Sequence, residues 1–416
     1  MHNTINVPSL MTMDGDSASA HTELRTRALA KIRAWVEIDL NALANNVRQI
    51  HQFLAPQTAF MAVVKADAYG HGAVTVAQIA LANGASWLGV ATIPEGMELR
   101  AAGIKAPILV LGATNTAEEI QAIAHWQLQP TLSTPQQALV FSETANTISP
   151  QGILPVHIKL DTGMSRLGIN WESAPELVRL VQSLPNLHIA SIYSHLATAD
   201  SPHRALMQQQ QARFNAAIAK INLATDHSLH PLLHLANSAA TLGDRSCHYD
   251  LVRVGLAIYG LYPADHLQPS QDNQHPPLFP ILQPVLQVKA RITQIKTIPP
   301  GTGVSYSQHF IADREMQIAI VGIGYADGVP RLLSNKMQVL IRGQFVRQIG
   351  AITMDQLMLD VSAIPNLQVG EIVTLLGQDG TEKISADDWA TTLGTISWEI
   401  LCGFKHRLPR VAISGT

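Results

Sequence analysis

The chain has 416 residues, 47% hydrophobic and only 14% charged, with a formal net charge of −3. That length exceeds one ordinary core, and so little charge favours a large buried interior and a subunit interface. A near-neutral balance excludes the basic footprint of a nucleic-acid binder, and two cysteines, Cys247 and Cys402, exclude a disulfide framework.

Residues 1–33 are polar and small and lack the apolar core of a signal peptide, so they are expected to form a flexible N-terminal extension. With so few cysteines, a reduced, cytoplasmic setting is expected. No apolar run reaches the length of a membrane span. From residue 59, short apolar runs alternate with helical patterns. The runs are AFMAVVK (59–65), WLGVA (87–91), PILVLG (107–112), LQPTL (128–132), PVHIKL (155–160), HIASIY (188–193), PLLHLA (231–236) and LVRVG (251–255). Eight strand–helix units predict an α/β chain with a (β/α)8 TIM-type barrel over 34–275. A doubly wound open sheet is the alternative. PSQDNQHPPLFP (269–280) reads as a linker. Beyond it, PVLQVKARITQIKTI (284–298) and the runs after it alternate apolar and polar residues, which predicts a C-terminal antiparallel β domain over 276–416.

The ends of the barrel strands carry reactive groups. Lys65 closes the first. Lys159, Asp161 and Arg166 follow the fifth, His195 the sixth, Asn237 and Ser238 the seventh, and Arg253 and Gly255 lie on the eighth. Barrel enzymes work from that face, and the loops after strands seven and eight commonly hold a phosphate. A lysine with a phosphate site suggests pyridoxal 5'-phosphate, whose aldehyde a lysine captures. Asp161 and Asp355 also read as turn residues, Met354 as core, and His71 and His234 as structural. No His/Asp/Glu cluster has metal-ligand spacing. GTGVSY and GIGYADG do not complete a dinucleotide fingerprint.

Eight motifs in order, AVVKADAYGHG, DTGMSRLG, SHLATAD, NSAA, VRVGLAIYG, GTGVSYSQHF, GYADGVPR and AITMDQLM, resemble the signatures of bacterial alanine racemase. The resemblance runs from Trp35 to Pro409. It implies a pyridoxal-phosphate enzyme that interconverts L- and D-alanine and supplies D-alanine for peptidoglycan. By the same resemblance Lys65 bears the cofactor and Tyr306 is the second base, Lys65 serving the D-enantiomer and Tyr306 the L-enantiomer. Tyr69, four residues and one helical turn beyond Lys65, contacts the phosphate with Ser238, Gly255 and Leu256, and Asn237 lies beside them. Arg253 faces the pyridine nitrogen. Arginine keeps its proton, so the ring stays a weaker electron sink than an aspartate would make it. His195 and Arg253 link to Tyr306. Arg166 lies near the cofactor phenol oxygen and the substrate carboxylate, Lys159 is a position that several members carbamylate, Met354 and Asp355 approach the substrate from a partner subunit, and Tyr325 is an entrance residue close by. A homodimer with shared active sites is therefore implied. Trp398 stands where many members have a phosphate-binding tyrosine, and Thr353 where a cysteine is frequent. A broader amino-acid racemase, acting for example on serine, and a non-enzymatic pyridoxal-phosphate carrier are the alternatives. Carriers lack the β domain that residues 276–416 are expected to form.

Overall fold

The computed structural model describes residues 32–149, 151–225, 229–269 and 279–413. Residues 1–31 of the expected extension and 270–278 of the expected linker at 269–280 lie outside the described residues. Two compact units result, one of the described parts of 41–68 and 72–283, the other of the described parts of 1–40, 69–71 and 284–416.

Strand β1 (Ala34–Asp39) does not join the barrel, in whose range the sequence reading placed it. It pairs antiparallel with residues 286–290 and parallel with 410–413. Pairing over such a separation leaves no local signal. Burial on both faces fixes the strand: Trp35 is buried, its indole N–H donates to Glu37, and Glu37 pairs with Lys289 at 2.8 Å.

Eight parallel strands then follow: β2 (Ala59–Val63), β3 (Trp87–Val90), β4 (Ile108–Ala113), β5 (Gln129–Leu132), β6 (Leu154–Asp161), β7 (Leu187–Tyr193), β8 (Leu232–His234) and β9 (Leu251–Val254). They lie in the order β9-β2-β3-β4-β5-β6-β7-β8. Backbone bonds from Asp250 N–H to Leu233 O and Arg253 N–H to Ala236 O, both 3.0 Å, bring the last strand against β8 and nearly close the ring. The expected barrel is therefore present. Met61, Leu109, Tyr193 and Leu251 form part of its filling. Two of its helices start at reciprocal side-chain caps. Thr116 and Glu119, and Thr134 and Gln137, exchange side-chain and backbone bonds at the first turns of Ala117–His125 and Pro135–Ile148.

The second unit is β-rich. Its strands are β10 (Leu286–Ile298), β11 (Gly303–Val304), β12 (Phe310–Ile311), β13 (Met316–Val321), β14 (Gln338–Ile341), β15 (Gln344–Ile349), β16 (Leu357–Asp360), β17 (Ile372–Asp379), β18 (Glu382–Ile384) and β19 (Arg410–Ile413). Strand β10 is the spine, antiparallel to β1, β13 and β17. Ile298, Met316, Ile318, Ile349 and Met358 belong to one of its cores. The unit also holds the helices Ala386–Leu393 and Ser397–Gly403, which the reading of this region as strands alone did not anticipate. Among the described residues, no helix is long and apolar enough to cross a membrane.

Candidate active site

Lys65 stands just beyond β2, half-buried, and no described residue hydrogen-bonds or ion-pairs with its amine. The helical turn expected after it exists over Lys65–Gly70, but its backbone is left-handed: Ala66, Asp67, Ala68 and Tyr69 have φ of 54°, 51°, 52° and 54°. Each such non-glycine residue costs roughly 1–2 kcal/mol, so neighbours must impose the shape. Glu95, a residue the sequence reading missed, is one of them. Its Oε1 accepts the Ala66 N–H at 2.8 Å, and its Oε2 accepts the Ala91 and Thr92 N–H groups at 2.7 and 3.1 Å. Asp67 adds a bond from the Ala73 N–H at 2.8 Å.

The loop after β6 is built on Asp161, whose Oδ1 accepts three successive N–H groups from Gly163, Met164 and Ser165 at 2.9–3.1 Å. That is the turn role weighed for it. The loop leaves Arg166 exposed and Lys159, on the strand itself, buried. Burial first, then the charges of Arg253, Arg166 and Lys65, push the Lys159 amine down to about 8, against an opposing pull from Asp161.

Arg253 is 4% exposed on β9. Its guanidinium donates to His234 Nδ1 at 2.9 Å, to Ser194 O at 2.7 Å, to Leu235 O at 3.1 Å and to His195 Nδ1 at 3.3 Å. Burial lowers it to about 10, so it stays a cation at neutral pH. The Tyr193 ring lies 5.3 Å from the Arg253 guanidinium and 5.4 Å from the Lys159 amine, and it stacks on His234 at 4.6 Å. His195 is held at about 3 by burial, then by Arg253, Arg166, Lys159 and Lys65, so it is neutral. His234, read as structural, is thus the inner partner of Arg253. A histidine three residues before Asn237, on the strand preceding the one that carries an arginine, was the signal available. Nearby, Ser238 Oγ accepts N–H groups of Gly255 and Ala257 at 3.0 and 3.4 Å, which gathers Ser238, Gly255 and the start of Leu256–Tyr259 into one cradle. Asn237 caps the short helix Ser238–Gly243 through Ala240 N–H.

In the β unit, Tyr306 is 69% exposed, between Ser305 and Ser307 at φ 62° and 59°. It edges an open groove of about 860 Å³ lined also by Thr293, Lys296, Ile318, Thr353 and Met358. Tyr325 and Met354 are exposed as well, and their loops are laced by bonds from Tyr325 N–H to Thr353 O and Ala326 N–H to Met354 O, both 3.0 Å. Asp355 pairs with Arg407 at 2.7 Å, and Arg407 reaches buried Asp327, itself paired with Arg33 at 2.7 Å. Trp398 is half-buried on Ser397–Gly403. Tyr69 groups with this unit, and burial, then the charge of Cys402, raise its phenol.

The barrel residues fit pyridoxal phosphate. Lys65, Lys159, Arg166 and Arg253 all bear electrostatically on His195, a cationic surround suited to a phosphate and a carboxylate. The serine hydroxyl and converging N–H groups of the cradle suit the phosphate end, and the unpartnered amine of Lys65 suits the aldehyde. Among the described residues, no His, Cys, Asp or Glu cluster could hold a metal ion.

Comparison with known proteins agrees along most of the chain. The model for "Alanine racemase, N-terminal domain" matches residues 38–263, and that for "Alanine racemase, C-terminal domain" matches 285–412. An alanine racemase of Nostoc sp. is 66% identical, over 95% of this chain and 100% of the relative. That of Synechocystis sp. is 62% identical, over 92% and 99%. Among solved structures, the Clostridium difficile alanine racemase superposes with a TM-score of 0.85 at 32% identity, covering 92% of this chain and 96% of its own. The Bacillus anthracis alanine racemase with bound L-Ala-P gives 0.83 at 35%, covering 92% and 95%.

Proposed function

The chain belongs to the alanine racemase family, and on that footing we propose how its two units share the reaction. It is an isomerase that interconverts L-alanine and D-alanine with pyridoxal 5'-phosphate. The cofactor supplies an aldehyde that captures the amino acid and a ring that draws electron density from Cα. Lys65 holds it and moves the proton at Cα on the face that serves D-alanine. Tyr306 moves the proton on the opposite face and serves L-alanine, which spares the substrate a rotation. Ser238 and the backbone N–H groups of Gly255 and Leu256 bind the phosphate, with Asn237, Tyr69 and Trp398 beside it. Arg253 donates toward the ring nitrogen and His195 steadies the phenol of Tyr306. Arg166 orients the substrate carboxylate. The depressed Lys159 amine is suited to carbamylation, whose negative charge would hold Arg166. The single observation that carries this reading is the buried Arg253 guanidinium, held at the reactive end of the barrel by His234, Ser194 O, Leu235 O and His195.

The barrel range 34–275 then serves the cofactor, and 276–416 serves the second proton transfer. Tyr306, Met354 and Tyr325 are 69%, 52% and 43% exposed, large apolar surface that supports a homodimer in which each β unit completes the partner's site, Asp355 included. D-Alanine made this way supplies peptidoglycan from the cytoplasm. Subunit complementation tests the sharing. Lys65→Ala and Tyr306→Ala proteins, each inactive, are unfolded together and refolded. A shared site restores about a quarter of native activity, from the one intact site of each mixed dimer. A site completed within one chain restores none.

A further inference from the structure

Arg253 has no carboxylate partner among the described residues, and it donates its hydrogen bonds to backbone carbonyls and imidazole nitrogens. A guanidinium only donates. The His234 Nδ1 facing it at 2.9 Å must therefore accept, which puts the His234 proton on Nε2. Nε2 lies 2.8 Å from Ser191 Oγ, so the serine accepts there. Its own hydrogen then has one place to go, His157 Nδ1 at 2.6 Å. That forces the His157 proton onto Nε2, which donates to Gln129 Oε1 at 2.6 Å. Five residues thus form a one-way chain of hydrogen bonds. It descends the barrel interior from β9 to Gln129, the first residue of β5, at the end away from the reactive groups. His157, Ser191 and His234 are completely buried, so a reversed bond has no water to turn to. Stacking of Tyr193 on His234, with the Tyr193 hydroxyl 2.7 Å from Thr131 Oγ1, holds the ring from its face.

We propose that Ser191, His157 and Gln129 are positioning residues for the racemase reaction: by fixing the proton on His234, they hold the Arg253 guanidinium in one orientation. Disrupting the chain far from the reactive face would free the His234 ring to turn. An N–H would then oppose the guanidinium, and Arg253 would move. The kinetic arm of this proposal rests on the reading of Arg253 as the group at the cofactor ring nitrogen, while the proton placement does not.

Two measurements on the full-length, cofactor-loaded enzyme test it. Ring-¹⁵N histidine NMR at neutral pH, with His157 assigned by a His157→Gln protein and His234 by coupling to its neighbours, should show both rings neutral with hydrogen on Nε2. Hydrogen on Nδ1 of either ring overturns the proposal. Second, Ser191→Ala and Gln129→Leu should each lower kcat about tenfold with KM within twofold, and shift the cofactor absorbance. Gln129→Glu, which keeps an acceptor for His157, should stay within about threefold of native kcat. Loss of melting temperature with unchanged kcat and absorbance would make the chain merely structural and end the proposal. If Ser191→Ala does not fold, the Gln129 pair and the NMR decide. Full activity in Arg253→Ala would instead strike the reading of Arg253, leaving the proton placement to stand or fall by NMR.

Discussion

Glu95 accepts the backbone N–H of Ala66 at 2.8 Å, the residue immediately after Lys65, while its second oxygen anchors Ala91 and Thr92. One carboxylate therefore ties the strained left-handed turn to the loop after the neighbouring strand. Glu95→Ala should lower stability by about 1–2 kcal/mol, the usual cost of losing such a cap. It should also let the cofactor dissociate faster, because the turn behind Lys65 loses its restraint. Glu95→Gln, which keeps one acceptor, should fall between. Chemical denaturation and the rate of cofactor loss on dilution check both effects.

Lys159 makes a pH prediction. In its unmodified form the amine is lowered to about 8 in the fold against 10.5 ordinarily, so between those values the unfolded chain binds a proton that the folded one does not. Stability from this group therefore rises with pH across roughly 8 to 10.5, and the full penalty of burying the charge is present below about 8. Lys159→Met should be more stable than the native chain near pH 7, by on the order of 2–3 kcal/mol, and the difference should shrink toward pH 10. Melting curves of both proteins across that range give the comparison. A constant difference would show that burial of the charge is not what sets it.

Gly324 sits where the Tyr325 and Met354 loops meet. A Cβ there would lie 2.2 Å from Thr353 O and 2.5 Å from Met354 O, both backbone atoms. Gly324→Ala must push the two loops apart, breaking the Tyr325–Thr353 and Ala326–Met354 bonds, at a cost of about 1–3 kcal/mol. KM for alanine should rise several-fold, with cofactor affinity unchanged. A KM equal to that of the native enzyme would mean that these loops do not shape the substrate's entry.

Much of this was legible in the sequence, because the barrel's signals are local. Eight apolar runs of strand length and polar groups clustered after particular strands each act over a few residues. What escaped depends on distant partners. Strand β1 reads like a barrel neighbour, yet pairs with residues 286–290 and 410–413. Of Ala66 to Tyr69 only Asp67 has a left-handed tendency; Glu95, some 30 residues on, helps impose the turn. His234, Ser191 and His157 look like ordinary core positions one at a time. Only the arrangement of neighbouring strands aligns them beneath Arg253.

The central claim is that two different groups move the Cα proton, Lys65 for D-alanine and Tyr306 for L-alanine. Solvent exchange of the α-hydrogen in deuterated water tests it directly, using a Tyr306→Phe enzyme shown to retain the cofactor. The account predicts that D-alanine still exchanges its α-hydrogen, that L-alanine exchange drops at least a hundredfold, and that racemisation stops with it. L-alanine exchange at the native rate in that protein would contradict it.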